Sequence, residues 1–123
     1  MFYSESLPKS PTSPALARQL LDRLSDEVSA PVLEHARLLV SELVTNAVEH
    51  VREDGDIEIR LGISGDVLRV EVLDPGPGFT PEPREPGQSK ESGWGLHFTD
   101  LVAERWAVDH DDRARVWFEL RKS

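Results

Sequence analysis

The chain has 123 residues, of which 38% are hydrophobic and 30% charged, and a formal net charge of −9. That composition is one water-soluble domain long enough to bury a real core, and a polyanion of this kind is a poor match for nucleic acid or an anionic membrane. No cysteine is present, which excludes a disulfide framework, a thiol nucleophile and a Cys-based zinc site; no long apolar run or secretory leader occurs either, so the expected location is the cytoplasm.

Residues Met1 to Leu7 alternate in the manner of an edge strand, and Pro8 to Pro14 (PKSPTSP) is a breaker-rich connector. Ser13 is the expected N-cap of a first helix over residues 14–25, with Pro14 at its first position and Leu16, Ala17, Leu20, Leu21 and Leu24 at helical spacing. A second helix is expected from Pro31 to Val51. Its apolar set (Ala36, Leu39, Val40, Leu43, Val44, Ala47, Val48, Val51) covers about half the wheel, and its polar stripe holds His35, Glu42, Asn46 and Glu49, with His50 at the margin.

Ile57, Ile59, Leu61 and Ile63 alternate with polar residues and glycine as a strand, and Ser64-Gly65-Asp66 turns the chain into a second one. There Leu68, Val70 and Val72 share a face, and Asp74 has their parity, so a carboxylate leaves the strand end on the core side. Pro75-Gly76-Pro77-Gly78-Phe79 leads into a polar, proline-rich stretch to Ser92. Loops of that length inside small domains are usually functional. Gly93-Trp94-Gly95-Leu96 opens an expected third helix over residues 95–104, followed by strands at Arg105 to Asp109 and Arg115 to Leu120. The order predicts an α/β (α+β) two-layer sandwich, a mostly antiparallel sheet with three helices on one face, as a single domain over residues 1–123.

Three segments carry chemistry. Glu42 and Asn46, four residues apart, project from one side of a helix. Asn46 offers a neutral oxygen to Mg²⁺, whose other ligands would be phosphates and waters. Glu42 is placed to take a proton from a hydroxyl. Asp74, aimed inward, suits the exocyclic amino group of adenine. A helix opening at Gly95 presents free N–H groups to phosphate oxygens. Each segment alone has a plainer reading: a solvent-facing stripe, an aspartate capping a Pro-Gly turn, and glycines that permit tight backbone. Their order along the chain favours a magnesium–nucleotide site. His35, His97 and His110 lack metal-site spacing.

Glu42…Asn46, Asp74-Pro75-Gly76-Pro77-Gly78 and Gly93-Trp94-Gly95-Leu96 resemble the N, G1 and G2 boxes of the Bergerat-fold ATPases, the superfamily of gyrase, histidine kinases and MutL. Within it, SELVTNAVEH, GWGLHFTDLVAERWAV and RVWFEL look most like the small anti-sigma factor serine kinases, over residues 13–121. The resemblance implies an ATP site between helices and sheet, under a lid at about residues 80–92. It makes Glu42 the catalytic base, Asn46 the magnesium ligand and Asp74 the adenine reader. Gly76 and Gly78 would shape the pocket and lid hinge. Gly93, Gly95 and Leu96 would lie at the phosphates, and His50 would face the nucleotide. Trp94, bulky between the two glycines, would join the nucleotide-binding set by packing over the lid or would await a partner. One departure stands out: many relatives carry a threonine in the last strand near the aspartate, where this chain has Arg115 before Val116.

The function expected from that resemblance is an ATP-dependent serine/threonine protein kinase. It would sequester a sigma factor and phosphorylate a serine of a small anti-sigma factor antagonist, exchanging partners as it does so. A homodimer is compatible with the same resemblance. Two alternatives stand beside it: a non-catalytic protein-binding module of the same fold, and a histidine-kinase-like catalytic domain.

Overall fold

The computed structural model describes residues 2–50, 54–76, 103–110 and 113–123. Strand β1 (Phe2–Leu7) is followed by helix α1 (Ser13–Leu21), a 3-10 turn (Asp22–Leu24) and helix α2 (Ala30–His50). Strands β2 (Ile57–Ser64), β3 (Val67–Asp74), β4 (Arg105–His110) and β5 (Ala114–Arg121) complete the described elements. The five strands form one sheet in the order β1-β2-β3-β5-β4, and every neighbouring pair is antiparallel.

Period-two alternation decides the two faces of that sheet. Ile57, Ile59 and Leu61 of β2, Leu68, Val70 and Val72 of β3, and Val116, Phe118 and Leu120 of β5 all point inward and are buried. They form one core with Ala17, Leu20 and Leu21 of α1 and with Leu33, Ala36, Leu39, Val40, Leu43, Val44 and Ala47 of α2. Burying each large aliphatic contributes about 1.5–3 kcal/mol, so this layer contact is the main source of stability. The chain end is held to it as well: Ser29 N–H donates to the Lys122 carbonyl at 2.8 Å, and Lys122 N–H to that of Asp66 at 2.8 Å.

The other face carries the complementary residues in register. One row runs Phe2, Gly62, Arg69, Glu119, Arg105; the next runs Ser4, Arg60, Glu71, Trp117, Ala107; the third runs Ser6, Glu58, Leu73, Arg115, Asp109. Opposite charges therefore meet across strands, as in Arg69 to Glu119 at 3.1 Å, and along a strand, as in Arg69 to Glu71 of β3 at 2.7 Å. The Arg69 guanidinium also lies 3.9 Å from the centre of the Trp117 ring, a cation–π contact.

Three expectations change in detail. Helix α1 starts one residue early, with Thr12 at the N-cap and no side-chain cap. Ser13 is instead fully buried, and its hydroxyl donates back to the Pro8 carbonyl, which ties down the proline-rich connector. The described residues hold two α-helices rather than three; the helix expected over 95–104 lies outside them except for Ala103 and Glu104, which are not helical. The hairpin joining β2 to β3 needs a positive φ at its first central residue, and Gly65 supplies it at 58°.

Candidate functional site

Helix α2 packs on β3 and β5, and its apolar residues leave a polar edge where Glu42 and Asn46 emerge. Both are half-buried, whereas Glu49 and His50 near the helix end are exposed. His50 Nε2 lies 3.9 Å from Glu49 Oε2, a pair wet on both sides. No hydrogen bond or ion pair among the described residues engages Glu42 or Asn46. A carboxylate and an amide held partly out of water, four residues apart and with acceptor capacity unused by the described residues, are suited to an external partner.

Asp74 ends β3 on the inward face and is only 7% exposed. Its Oδ1 accepts the Gly76 backbone N–H at 2.8 Å, so the aspartate does cap the Pro-Gly turn, in the i to i+2 pattern open to Asx residues. Gly76 is itself buried. The turn is supported from behind by Gly55, whose φ is 135° and where a Cβ would stand 3.3 Å from Pro75 Cγ. Directly across the ladder from Asp74 is Ala114, and across from Val72 is Val116. Both are buried, so the wall beside the carboxylate is apolar on the β5 side.

Arg115 belongs to the opposite face. It forms a bidentate pair with Asp109, Nε to Oδ1 at 2.8 Å and Nη2 to Oδ2 at 3.0 Å, and lies 3.8 Å from Glu71. The Arg115 contact holds the Asp109 carboxyl below its ordinary range. Period two puts the arginine behind the sheet, away from Asp74. Ala114 and Val116 are therefore the β5 residues that bear on the inward site.

Behind Asp74, Glu58 of β2 is tied to β1 and to the residue that precedes β5. Its Oε2 accepts from Arg60 Nε at 2.5 Å and from Ser4 Oγ at 3.0 Å, and its Oε1 from Arg113 Nη1 at 2.9 Å. The Arg60 contact, with those of Arg113 and Ser4, pulls the Glu58 carboxyl down to about 2 against the partial burial that opposes it. The alternation of Arg and Glu signals that these residues face outward, but which of them meet depends on strand register, which alternation does not reveal.

Gly78, Gly93, Trp94, Gly95 and Leu96, with the stretch expected as a lid, lie outside the described residues. A shallow groove opens between α1 and α2 beside Pro14, Arg18, Ser41 and Thr45, and Arg18 donates to Ser41 Oγ there at 2.6 Å. Glu42 and Asn46 do not line it. Among the described residues no helix is long and apolar enough to cross a membrane, and no three acidic or histidine side chains cluster as a metal cage.

Comparison with known proteins adds the family. A model of the histidine kinase-like ATPase domain matches residues 7–120. The chain is 34% identical over 126 aligned positions to a serine-protein kinase RsbW of Listeria innocua, covering 89% of this chain and 80% of that one. It is 29% identical to a protein of the same name from Oceanobacillus iheyensis, covering 80% and 72%. A crystal structure of the RsbU and RsbW domains of a Mycobacterium tuberculosis protein superposes with a TM-score of 0.75 at 20% identity, covering 98% of this chain and 32% of that longer one. That structure shares the fold. With the family model running through nearly the whole sequence, this chain belongs to the histidine kinase-like ATPase domain family and resembles the RsbW serine-protein kinases.

Proposed function

We propose that this chain is a single-domain, cytoplasmic anti-sigma-type serine/threonine protein kinase. It binds Mg-ATP, phosphorylates a serine of a small antagonist protein, and holds a sigma factor that it exchanges for that antagonist. The observation that carries the kinase reading is the Glu42–Asn46 pair: half-buried, on one side of α2, without partners among the described residues. The relatives named as serine-protein kinases support the choice of acceptor.

The residues present suit a nucleotide-borne cation. Asn46 supplies one neutral amide oxygen with no competing contact among the described residues, and no three acidic or histidine side chains cluster as a cage among those residues. That agrees with the habit of Mg²⁺ of keeping waters and phosphate oxygens as its main ligands. When bound, the ion would neutralise charge on the phosphates. Glu42 takes the proton from the acceptor hydroxyl as its oxygen bonds to the γ-phosphorus; the bond from that phosphorus to the bridging oxygen breaks, and ADP leaves with the electron pair. Asp74 reads the adenine amino group against the apolar wall of Ala114 and Val116. Gly76 fixes the carboxylate through its amide, and His50 stands at the margin of the site. In this reading Gly78 shapes the pocket and lid hinge, Gly93, Gly95 and Leu96 form the phosphate end, and Trp94 belongs to the nucleotide-binding set.

The test is transfer of label from γ-labelled ATP to a serine of candidate antagonists. Wild type should label it and Glu42→Ala should not. Equal labelling by the two proteins, or none by wild type, sinks the kinase reading. A binding-only module of the same fold is the second reading. Calorimetry with Mg-ATP separates the two, because a pure interaction module gives no magnesium-dependent heat.

A further inference from the structure

The rung at which β3 ends is held from behind by a contact that ordinary sheet pairing does not require. Glu58 lies at the start of β2, opposite Leu73, and Arg113 immediately precedes Ala114, the first residue of β5. The charge-assisted hydrogen bond between them, 2.9 Å from Arg113 Nη1 to Glu58 Oε1, therefore spans β3 from one neighbour to the other beside Leu73. Leu73 is buried although it points to the outer face. Ser4 and Arg60 take the second carboxylate oxygen, so Glu58 is fixed on both sides, and its side chain is only 18% exposed. On the inward face of the next rung stand Asp74 and Ala114, paired directly.

We propose that Glu58 is a positioning residue for base recognition: through Arg113 it fixes the start of β5, and with it the Ala114 wall opposite Asp74. The proposal rests on the nucleotide reading of Asp74 given above. Its physical content is that β5 begins directly after the connection from β4, and a hydrogen-bonded carboxylate–guanidinium pair resists local displacement of that strand start at the rung where a purine would be read. Distance between the Asp74 carboxylate and its facing wall sets how well an amino group is told from a carbonyl. A site built to accept a hydrogen bond discriminates only while its geometry is kept.

The experiment compares binding of Mg-ATP with binding of magnesium inosine triphosphate, which presents a carbonyl in place of the amino group. Wild type, Asp74→Asn, Glu58→Gln, Arg113→Ala, Arg113→Lys and the Glu58→Gln/Arg113→Ala double variant are measured, each with its thermal midpoint. Wild type should prefer ATP by about tenfold or more, a preference lost in Asp74→Asn. Glu58→Gln and Arg113→Ala should each cut the preference by about threefold or more. The double variant should be no worse than either single one, and Arg113→Lys should recover part of the loss. Loss of stability alone weakens both nucleotides equally and leaves their ratio intact. An unchanged ratio in Glu58→Gln and Arg113→Ala, with the ratio still dependent on Asp74, overturns the positioning role alone. Failure of wild type to bind or to discriminate overturns the reading of Asp74 and this proposal with it.

Discussion

Asp74 and Ala114 face each other across the last rung of the β3–β5 ladder, on the same side of the sheet as the helices. One is a carboxylate that is almost wholly buried, and the other is a methyl group. A buried carboxylate beside an apolar wall is costly unless hydrogen bonds hold it, and the Gly76 amide provides one. The same pair sets the terms on which a base would be read.

Replacing Asp74 by Ala should weaken Mg-ATP binding by about 2 kcal/mol, the typical loss for a hydrogen bond to a charged group. Titration calorimetry measures it. The turn should survive, because Gly55 and Pro75 still pack; binding equal to wild type would remove Asp74 from the site.

Glu42→Gln keeps the shape of the side chain and removes its basicity. Phosphotransfer should fall by about 10²–10⁴-fold, the usual range for a general base, while ATP affinity stays within about threefold of wild type. Asn46→Ala should act in the reverse order, abolishing the magnesium dependence of ATP binding before chemistry is reached.

The Glu58 carboxyl titrates at about 2 in the folded chain against an ordinary value of 4.5. A depressed folded value means that the unfolded chain binds the proton more readily as pH falls. The stabilisation is therefore complete above about 4.5 and is lost progressively as pH drops toward 2. Denaturant melts of wild type and Glu58→Gln should differ by about 1–2 kcal/mol at neutral pH, allowing for solvent screening. The two curves should converge across that acid window, and a gap that persists at its lower end would show that Glu58 acts through packing instead.

Phe118 is fully buried among inward residues of β3 and β5. Its truncation to alanine should cost about 3–5 kcal/mol in chemical denaturation. Gly55→Ala should be milder but local. A residue at φ 135° with a Cβ 3.3 Å from Pro75 costs about 1–3 kcal/mol, and the displaced Pro75 should weaken ATP binding in the same samples.

Much was legible in the chain itself. Alternation gave β2 and β3 their inward faces, so Ile57, Val70 and Asp74 could be placed in the core before any tertiary contact was known. Four-residue spacing put Glu42 and Asn46 on one side of α2, because 3.6 residues per turn leaves no other arrangement. These are short-range consequences of backbone geometry.

Tertiary structure decided the rest. Arg115 stands near Asp74 in the residues expected of the last strand, but the pleat turns it behind the sheet to Asp109 and brings Ala114 forward instead. Ser13 reads as a helix cap, yet the packed connector takes its hydroxyl to Pro8. The bond from Glu58 to Arg113 joins residues 55 apart in the chain. Local sequence fixes which way a side chain points; only strand order and register determine which distant group it meets, because that choice follows from the burial of the whole sheet at once.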